Sequence, residues 1–171
     1  MKCNFGLTLL VLSIAGVYAA PAHAVVEFHE AGANASSLCQ GALPAFETNV
    51  RKRPLAVQNE GVASAYVTCS FSTQYDFDNQ AKISYFGVFL VNLTGSTKNV
   101  TCTGVAGYAS SSTNVYIGKN VNIAPNSEGE IFFDPTDNGD LLYDAMVNVS
   151  CNIPVGVGIA DTHVGFEEDD A

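Results

Sequence analysis

Tryptophan is absent from the 171 residues, histidine occurs three times, and lysine and arginine total 7 against 17 acidic side chains, a formal charge of −10. A surface this acidic repels nucleic acid and anionic lipid, so neither is expected as a partner. Histidine is too scarce and too peripheral for a nucleophile–histidine pair: His29 and His163 lie towards the two ends, and no G-x-S-x-G elbow occurs. No enzyme is expected. No stretch reaches the roughly 20 uninterrupted apolar residues that a membrane helix needs, so membrane insertion is not expected either. Also missing are a Cys-x-x-Cys pair, which removes the common zinc framework, any amphipathic helical pattern, and any repeat of fixed period.

What is present begins with an export signal. Lys2, an apolar run over residues 7–17 and the small-residue pattern Ala22-His23-Ala24 form a secretory signal peptide over residues 1–24. Cleavage after Ala24 would deliver a chain of single-domain size to an oxidising space, secreted or periplasmic. Loss of Cys3 leaves Cys39, Cys69, Cys102 and Cys151, an even set that permits three pairings into two disulfides. Cys69 shares a strand face with Ala65, Val67 and Phe71, Cys102 with Val100, and Cys151 with Ala145, Val147 and Val149. The preferred pairing is Cys39 with Cys69 and Cys102 with Cys151, because Cys39 shortly precedes the first clear strands while the latter two sit in strongly patterned ones.

The stretch KISYFGVFLVNLTGSTKNVTC, residues 82–102, organises the remainder. Residues 83–93 are apolar, β-branched or aromatic on both alternating faces, which predicts a strand in the middle of a layered structure. Thr94-Gly95-Ser96 reads as a polar turn to a second strand of the same buried sheet. Residues 25–37, with Ala31-Gly32-Ala33-Asn34-Ala35, read as a flexible leader, residues 38–166 as one domain, and residues 167–171 as a solvated acidic tail. Shorter strands are expected at 45–50, 55–58, 65–73, 115–117, 121–123 and 130–133, with 145–153 the last strong one. Arg51-Lys52-Arg53-Pro54 reads as a solvated basic turn, and Gly118-Lys119-Asn120 as a hairpin turn. About eight to ten short β segments separated by Gly, Asn, Ser and Pro predict an all-β chain, a two-sheet antiparallel sandwich of jelly-roll type stapled by two disulfides.

Two ligand chemistries are suggested by local patterns. The run Asp134-Pro135-Thr136-Asp137-Asn138-Gly139-Asp140, followed by Asp144, offers the hard oxygens that calcium wants, with Asp134, Asp137, Asp140 and Asp144 as ligands, though not in EF-hand spacing. Asp76 and Asp78 form a lesser acidic loop. An exported sandwich also suits carbohydrate, and without tryptophan the stacking surface would fall to Tyr66, Tyr75, Tyr85, Tyr108, Tyr116 and Tyr143. The functional expectation is therefore a non-enzymatic structural or binding domain at or outside the cell envelope, its partner a glycan or an envelope protein. The alternative is a lectin-like module, calcium-dependent or not.

The segments Ser37-Leu38-Cys39, Ala65-Tyr66-Val67-Thr68-Cys69 and Val149-Ser150-Cys151-Asn152-Ile153-Pro154, with Gly156, Gly158 and Ile159, give the mature chain a likeness. It resembles small secreted all-β proteins of proteobacteria, a resemblance that implies export and fold and brings no activity with it. Chaperone-assembled pilins are similar in class alone: residues 25–37 lack the long alternation of a donated strand, and the chain ends in acids.

Overall fold

The computed structural model describes residues 25–71, 82–109, 111–141, 143 and 146–170; the signal-peptide segment, Asp76, Asp78, Tyr75 and Asp144 fall outside the described residues. The strands are β1 (Val25–Asn34), β2 (Cys39–Gly41), β3 (Val50–Arg53), β4 (Ala56–Asn59), β5 (Ala65–Ser70), β6 (Lys82–Asn92), β7 (Lys98–Ala106), β8 (Val115–Ile123), β9 (Ser127–Phe133), β10 (Val147–Ile153) and β11 (Val157–Asp170). Two one-turn helices, α1 (Ala35–Leu38) and α2 (Pro44–Glu47), and a 3₁₀ turn at Pro135–Asn138 interrupt them. The strands form two antiparallel sheets, as the pattern of short β segments implied. One has the order β3-β4-β11-β6-β9 with β1 also paired to β11, and the other β2-β5-β10-β7-β8.

Alternation assigns the faces. Phe86, Val88 and Leu90 of β6, Ile131 and Phe133 of β9, and Ile159 and Val164 of β11 point into the core, where they meet Val67, Val100, Val149 and the four cysteines of the other sheet. Phe86 stacks on Phe133 at 5.1 Å between ring centroids and takes Tyr143 edge-on at 5.2 Å. Gly104 of β7 lies opposite: a Cβ there would stand 2.7 Å from the Phe133 ring, so the missing side chain lets that ring reach across the interlayer space.

Cys39 is bonded to Cys69 and Cys102 to Cys151, the preferred pairing. Each pair sits directly opposite in adjacent strands, β2 with β5 and β7 with β10, with Cα atoms 4.0 Å apart. Both bridges therefore lie within the five-stranded sheet, cross-linking neighbours on its inner face instead of clamping one layer to the other.

The layers are joined at their corners by two buried asparagines. Asn59, at the end of β4, donates from Nδ2 to the carbonyls of Ala63 and Ile153 and accepts from Gly61 N–H. Asn92, at the end of β6, sets Nδ2 within 2.8–3.1 Å of the Ser96, Ile123 and Ala124 carbonyls, and its Oδ1 accepts from Thr94. Every crossing from sheet to sheet at this end, after β4, β6, β8 and β10, thus has its turn carbonyls or amides held by one of two side chains. The bonds to the Ile153 and Ile123 carbonyls are buried and the others part-buried, so the amides supply partners where water has least access.

Several sequence expectations are corrected. The leader is not flexible over residues 25–34: β1 pairs along its whole length with β11, from Val25 opposite Asp170 to Asn34 opposite Asp161. Its small residues Ala31, Gly32 and Ala33 fit beside Val164, His163 and Thr162, so low hydrophobicity reflected close packing. The same pairing places residues 167–170 in a strand and not in a solvated tail. Strand β11 itself, central to its sheet, was not anticipated, because glycine, alanine and acids break its apolar run. Residues 45–50 contain α2, with Pro44 at its start, and the basic trio Arg51, Lys52 and Arg53 lies in β3. Residues 115–123 are one strand, for Lys119 keeps the alternation by turning inward at the sheet edge, where Nζ donates to the Phe132 carbonyl and pairs with Asp137 at 2.6 Å. Finally, β6 and β7 are not neighbours: the turn at 94–96 carries the chain from one sheet to the other.

Replacing Asn92 with Ala strips the buried Ile123 carbonyl and several part-buried turn groups of a partner and is expected to destabilise the fold by about 2–4 kcal/mol in urea unfolding. The double variant Cys102→Ala/Cys151→Ala, which opens a separation of 49 residues, is expected to lose about 4 kcal/mol in the same assay.

Candidate functional site

The period of two along a strand sends half of the apolar residues of β6 away from the core. Tyr85, Phe89 and Val91 point outward from the six-stranded sheet and remain half-buried, with no third layer over them among the described residues. The neighbouring strands complete this outer face in register. One row runs Asn34, Asp161, Phe89, Glu130; the next Gly32, His163, Gly87, Phe132; the next Glu30, Gly165, Tyr85.

Glycine shapes it. A Cβ at Gly87 would collide with the Phe132 ring and the Ile131 carbonyl, and one at Gly165 would collide with the Tyr85 ring. The rings therefore lie down on bare backbone. They meet edge to face: Phe89 with Phe132 at 5.3 Å and 76°, Phe89 with His163 at 4.9 Å and 77°, and Tyr85 with Phe132 at 5.7 Å and 71°, the arrangement that ring quadrupoles favour. Phe28 of β1 extends the cluster beside Tyr85 at 6.4 Å and is more than half exposed. Above the rings is an open depression of about 420 Å³ lined by Tyr85, Phe89, Phe132, Asp134 and His163.

Carboxylates rim this face. Tyr85 Oη donates to Glu30 Oε1 at 2.7 Å. Partial burial, reinforced by the Glu30 hydrogen bond and charge, pushes the Tyr85 hydroxyl up to about 12. Asp161 and Glu130 flank Phe89 from β11 and β9. The outer face of the other sheet differs: Thr68, Ser150 and Thr103 form one of its rows and Tyr66, Asn152, Thr101 and Asn120 another, and none of its outward strand positions carries a charge.

The expected sites are distributed as follows. The four cysteines are structural. Asp134 caps the 3₁₀ turn, its Oδ1 accepting from the N–H and hydroxyl of Thr136, and Asp137 Oδ2 accepts from the Asp134 N–H while pairing with Lys119. The Thr136 hydroxyl bond first, then its N–H and the Lys119 charge, hold the Asp134 carboxyl below its usual range. Asp140 has φ 63° and donates its N–H to the Pro135 carbonyl. Among the described residues no group of three or more His, Cys, Asp or Glu gathers as a metal-holding set; Asp144 is outside that search. Of the tyrosines proposed for stacking, Tyr85 belongs to the aromatic face, Tyr143 is buried in the core, and Tyr66 and Tyr116 are exposed on the opposite sheet. Tyr108, with Lys82, Asn138, Asp140 and Tyr143, lines a larger cleft of about 650 Å³. Positions 110, 142, 144 and 145, adjacent to that lining, lie outside the described residues. Sequence reasoning missed Phe89, Phe132 and His163 as a group; the doubly apolar pattern of 83–93 was the available signal.

Neither a scan of family models nor a search of curated proteins finds a match. Among solved structures the chain is similar to TmCBM61 in complex with β-1,4-galactotriose, at 10% identity and TM-score 0.33, over 82% of this chain and 84% of that one. It is also similar to the family 11 carbohydrate-binding module from Clostridium thermocellum in complex with a β-1,3-1,4-mixed-linked tetrasaccharide, at 7% identity and TM-score 0.35, over 90% and 92%. Neither likeness is close enough to carry a residue or a ligand across.

Burial, followed by the charges of Asp137 and Asp134, pushes Tyr143 up to about 12 as well. Tyr85 and Tyr143 thus stay protonated when folded to a pH at which the unfolded chain, ionising near 10, has already released its protons. Their contribution to stability is complete below about pH 10 and is lost as pH rises towards about 12. Urea unfolding across that window should show the fall, with a shallower slope in Tyr85→Phe and in Tyr143→Phe.

Proposed function

We propose that the chain is a non-catalytic, exported binding domain whose aromatic outer face takes a carbohydrate. One observation carries this reading: aromatic rings on glycine-cleared backbone floor an open depression also lined by Asp134 and His163, with Asp161 and Glu130 flanking Phe89. Sugar rings present apolar C–H faces and a periphery of hydroxyl donors. The first suits Phe89, Phe132 and Tyr85, and the second suits Asp161, Glu130 and the ring nitrogens of His163. Export is supported by the signal pattern of residues 1–24 together with two disulfides, which persist in oxidising compartments. No helix among the described residues is long and apolar enough to cross a membrane. An envelope protein as partner, the other reading of the sequence, has no comparably specific feature to dock on.

A glycan array of the purified mature chain tests the proposal, run with and without chelator. Binding is expected in both, since the aromatic face holds no calcium ligand set among the described residues. Phe89→Ala and Phe132→Ala, each with melting temperature monitored, are expected to weaken binding about tenfold or more. Silence of the wild-type chain across the array would contradict the reading.

A further inference from the structure

We propose that the glycan taken by the aromatic face is cationic, an oligosaccharide of amino sugars with unsubstituted, protonated amino groups, seated with one ammonium over Phe89 between Glu130 and Asp161. This rests on the carbohydrate reading above and narrows it. The depression and its rings make the site; the charges around it select what enters.

The register puts Asp161 and Glu130 on the two sides of Phe89 in a single row, on adjacent strands and the same face. Directly opposed side chains in antiparallel strands stand about 4.5–5.5 Å apart at Cβ. An ammonium above the ring therefore has a carboxylate within reach on each side. Neither Asp161 nor Glu130 makes a hydrogen bond or ion pair among the described residues. Other acids are engaged: Glu60 with Arg53, Asp137 with Lys119, and Glu30 with Tyr85. Two unsatisfied like charges astride an aromatic ring raise the local negative potential, and a cation there meets both carboxylates and the negative face of the ring.

The basic side chains nearby are otherwise engaged. Arg51, on the same outer face in the row Arg51, Gln58, Gly158, Val91, Glu128, sets Nη1 on the Glu47 and Val50 carbonyls. Arg53 pairs with Glu60, and Lys119 is turned inward and committed to Asp137 and the Phe132 carbonyl. Lys82 lies opposite Glu167 at the far end of the β6 and β11 pairing, and His163 meets Phe89 edge-on in the next row. Glu128, one row beyond Glu130, and Asp134 on the rim of the depression add negative charge. The outer strand positions of the other sheet carry no charge, whereas Asp161, Glu130 and Glu128 share this face with the rings and Arg51 stands at its far edge on β3.

The test uses the full mature chain and two probes of equal length, a fully deacetylated glucosamine hexamer and its N-acetylated counterpart, titrated calorimetrically at pH 6 in low and in high salt. The expected result is at least tenfold tighter binding of the amino hexamer in low salt, the advantage shrinking towards parity at about 1 M salt, where screening acts over about 3 Å. In Glu130→Gln/Asp161→Asn, which removes both charges, the preference for the amino hexamer over the acetylated one should disappear. Equal affinity for the two hexamers in low salt would overturn the cationic preference and leave the carbohydrate reading standing. Failure of both to bind would overturn the cationic inference, while the carbohydrate reading itself stands or falls on the glycan array. Binding of the amino hexamer that survives Phe89→Ala unchanged, or a lysine oligopeptide that binds as tightly, would show general attraction to an acidic surface and overturn the inference.

Discussion

The antiparallel seam between β6 and β11 is what the rest of the structure depends on. It joins Val157 opposite Asn92 to Glu167 opposite Lys82, with register shifts between Ile159 and Asp161 and between Gly165 and Phe166. Strand alternation leaves no choice about the consequence. If Phe86, Val88 and Leu90 are to fill the core, then Tyr85, Gly87 and Phe89 must face the other way, and a one-residue slip would exchange the two sets. The bulges let the long β11 keep Val164 and Phe166 inward past Ala160 and Ser84 while β1 takes over from β4 along its other edge. The inner set builds a core, and the outer set builds a surface that is too aromatic for an ordinary solvated face.

Covalent and hydrogen-bonded restraints are divided between the layers. The disulfides stiffen the five-stranded sheet alone, tying β2 to β5 and β7 to β10. The six-stranded sheet has none and is held by its length of pairing, by core packing, and by Asn59 and Asn92 at the crossovers. In this arrangement the disulfide-linked sheet, whose outward strand positions carry no charge, backs the sheet that carries the aromatic depression. The placement of the aromatic face then comes from register and from the glycines beneath the rings, which set its side chains on strands and not on loops.

Much of the architecture was legible because alternation and turn residues report local geometry. The cysteine pairing followed from Cys39 shortly preceding the first clear strands while Cys102 and Cys151 sit in strongly patterned ones, and the sandwich from the spacing of short strands. What was hidden was hidden for physical reasons. Strand β11 and its partner β1 are built from glycine, alanine, threonine and acids, residues that look loop-like in isolation and become strand only through pairing with each other and with β6. The mirror-image error concerned residues 83–93: two apolar faces implied two covering layers, whereas one face is left open. Of the acids at 134–140, Asp134 caps a 3₁₀ turn and Asp137 both supports that cap and pairs with Lys119, roles that turn-forming acids with no metal spacing of their own do not announce in the sequence.

The central claim is that the outward set of the six-stranded sheet is a ligand face. Amide chemical-shift mapping by NMR, with a bound oligosaccharide added stepwise, tests it most directly. The account predicts perturbations confined to residues 85–89, 130–132 and 161–165, spanning adjacent strands as a patch. Shifts centred instead on residues 66–68, 101–103 and 148–152, or on the turn at 134–140, would contradict it.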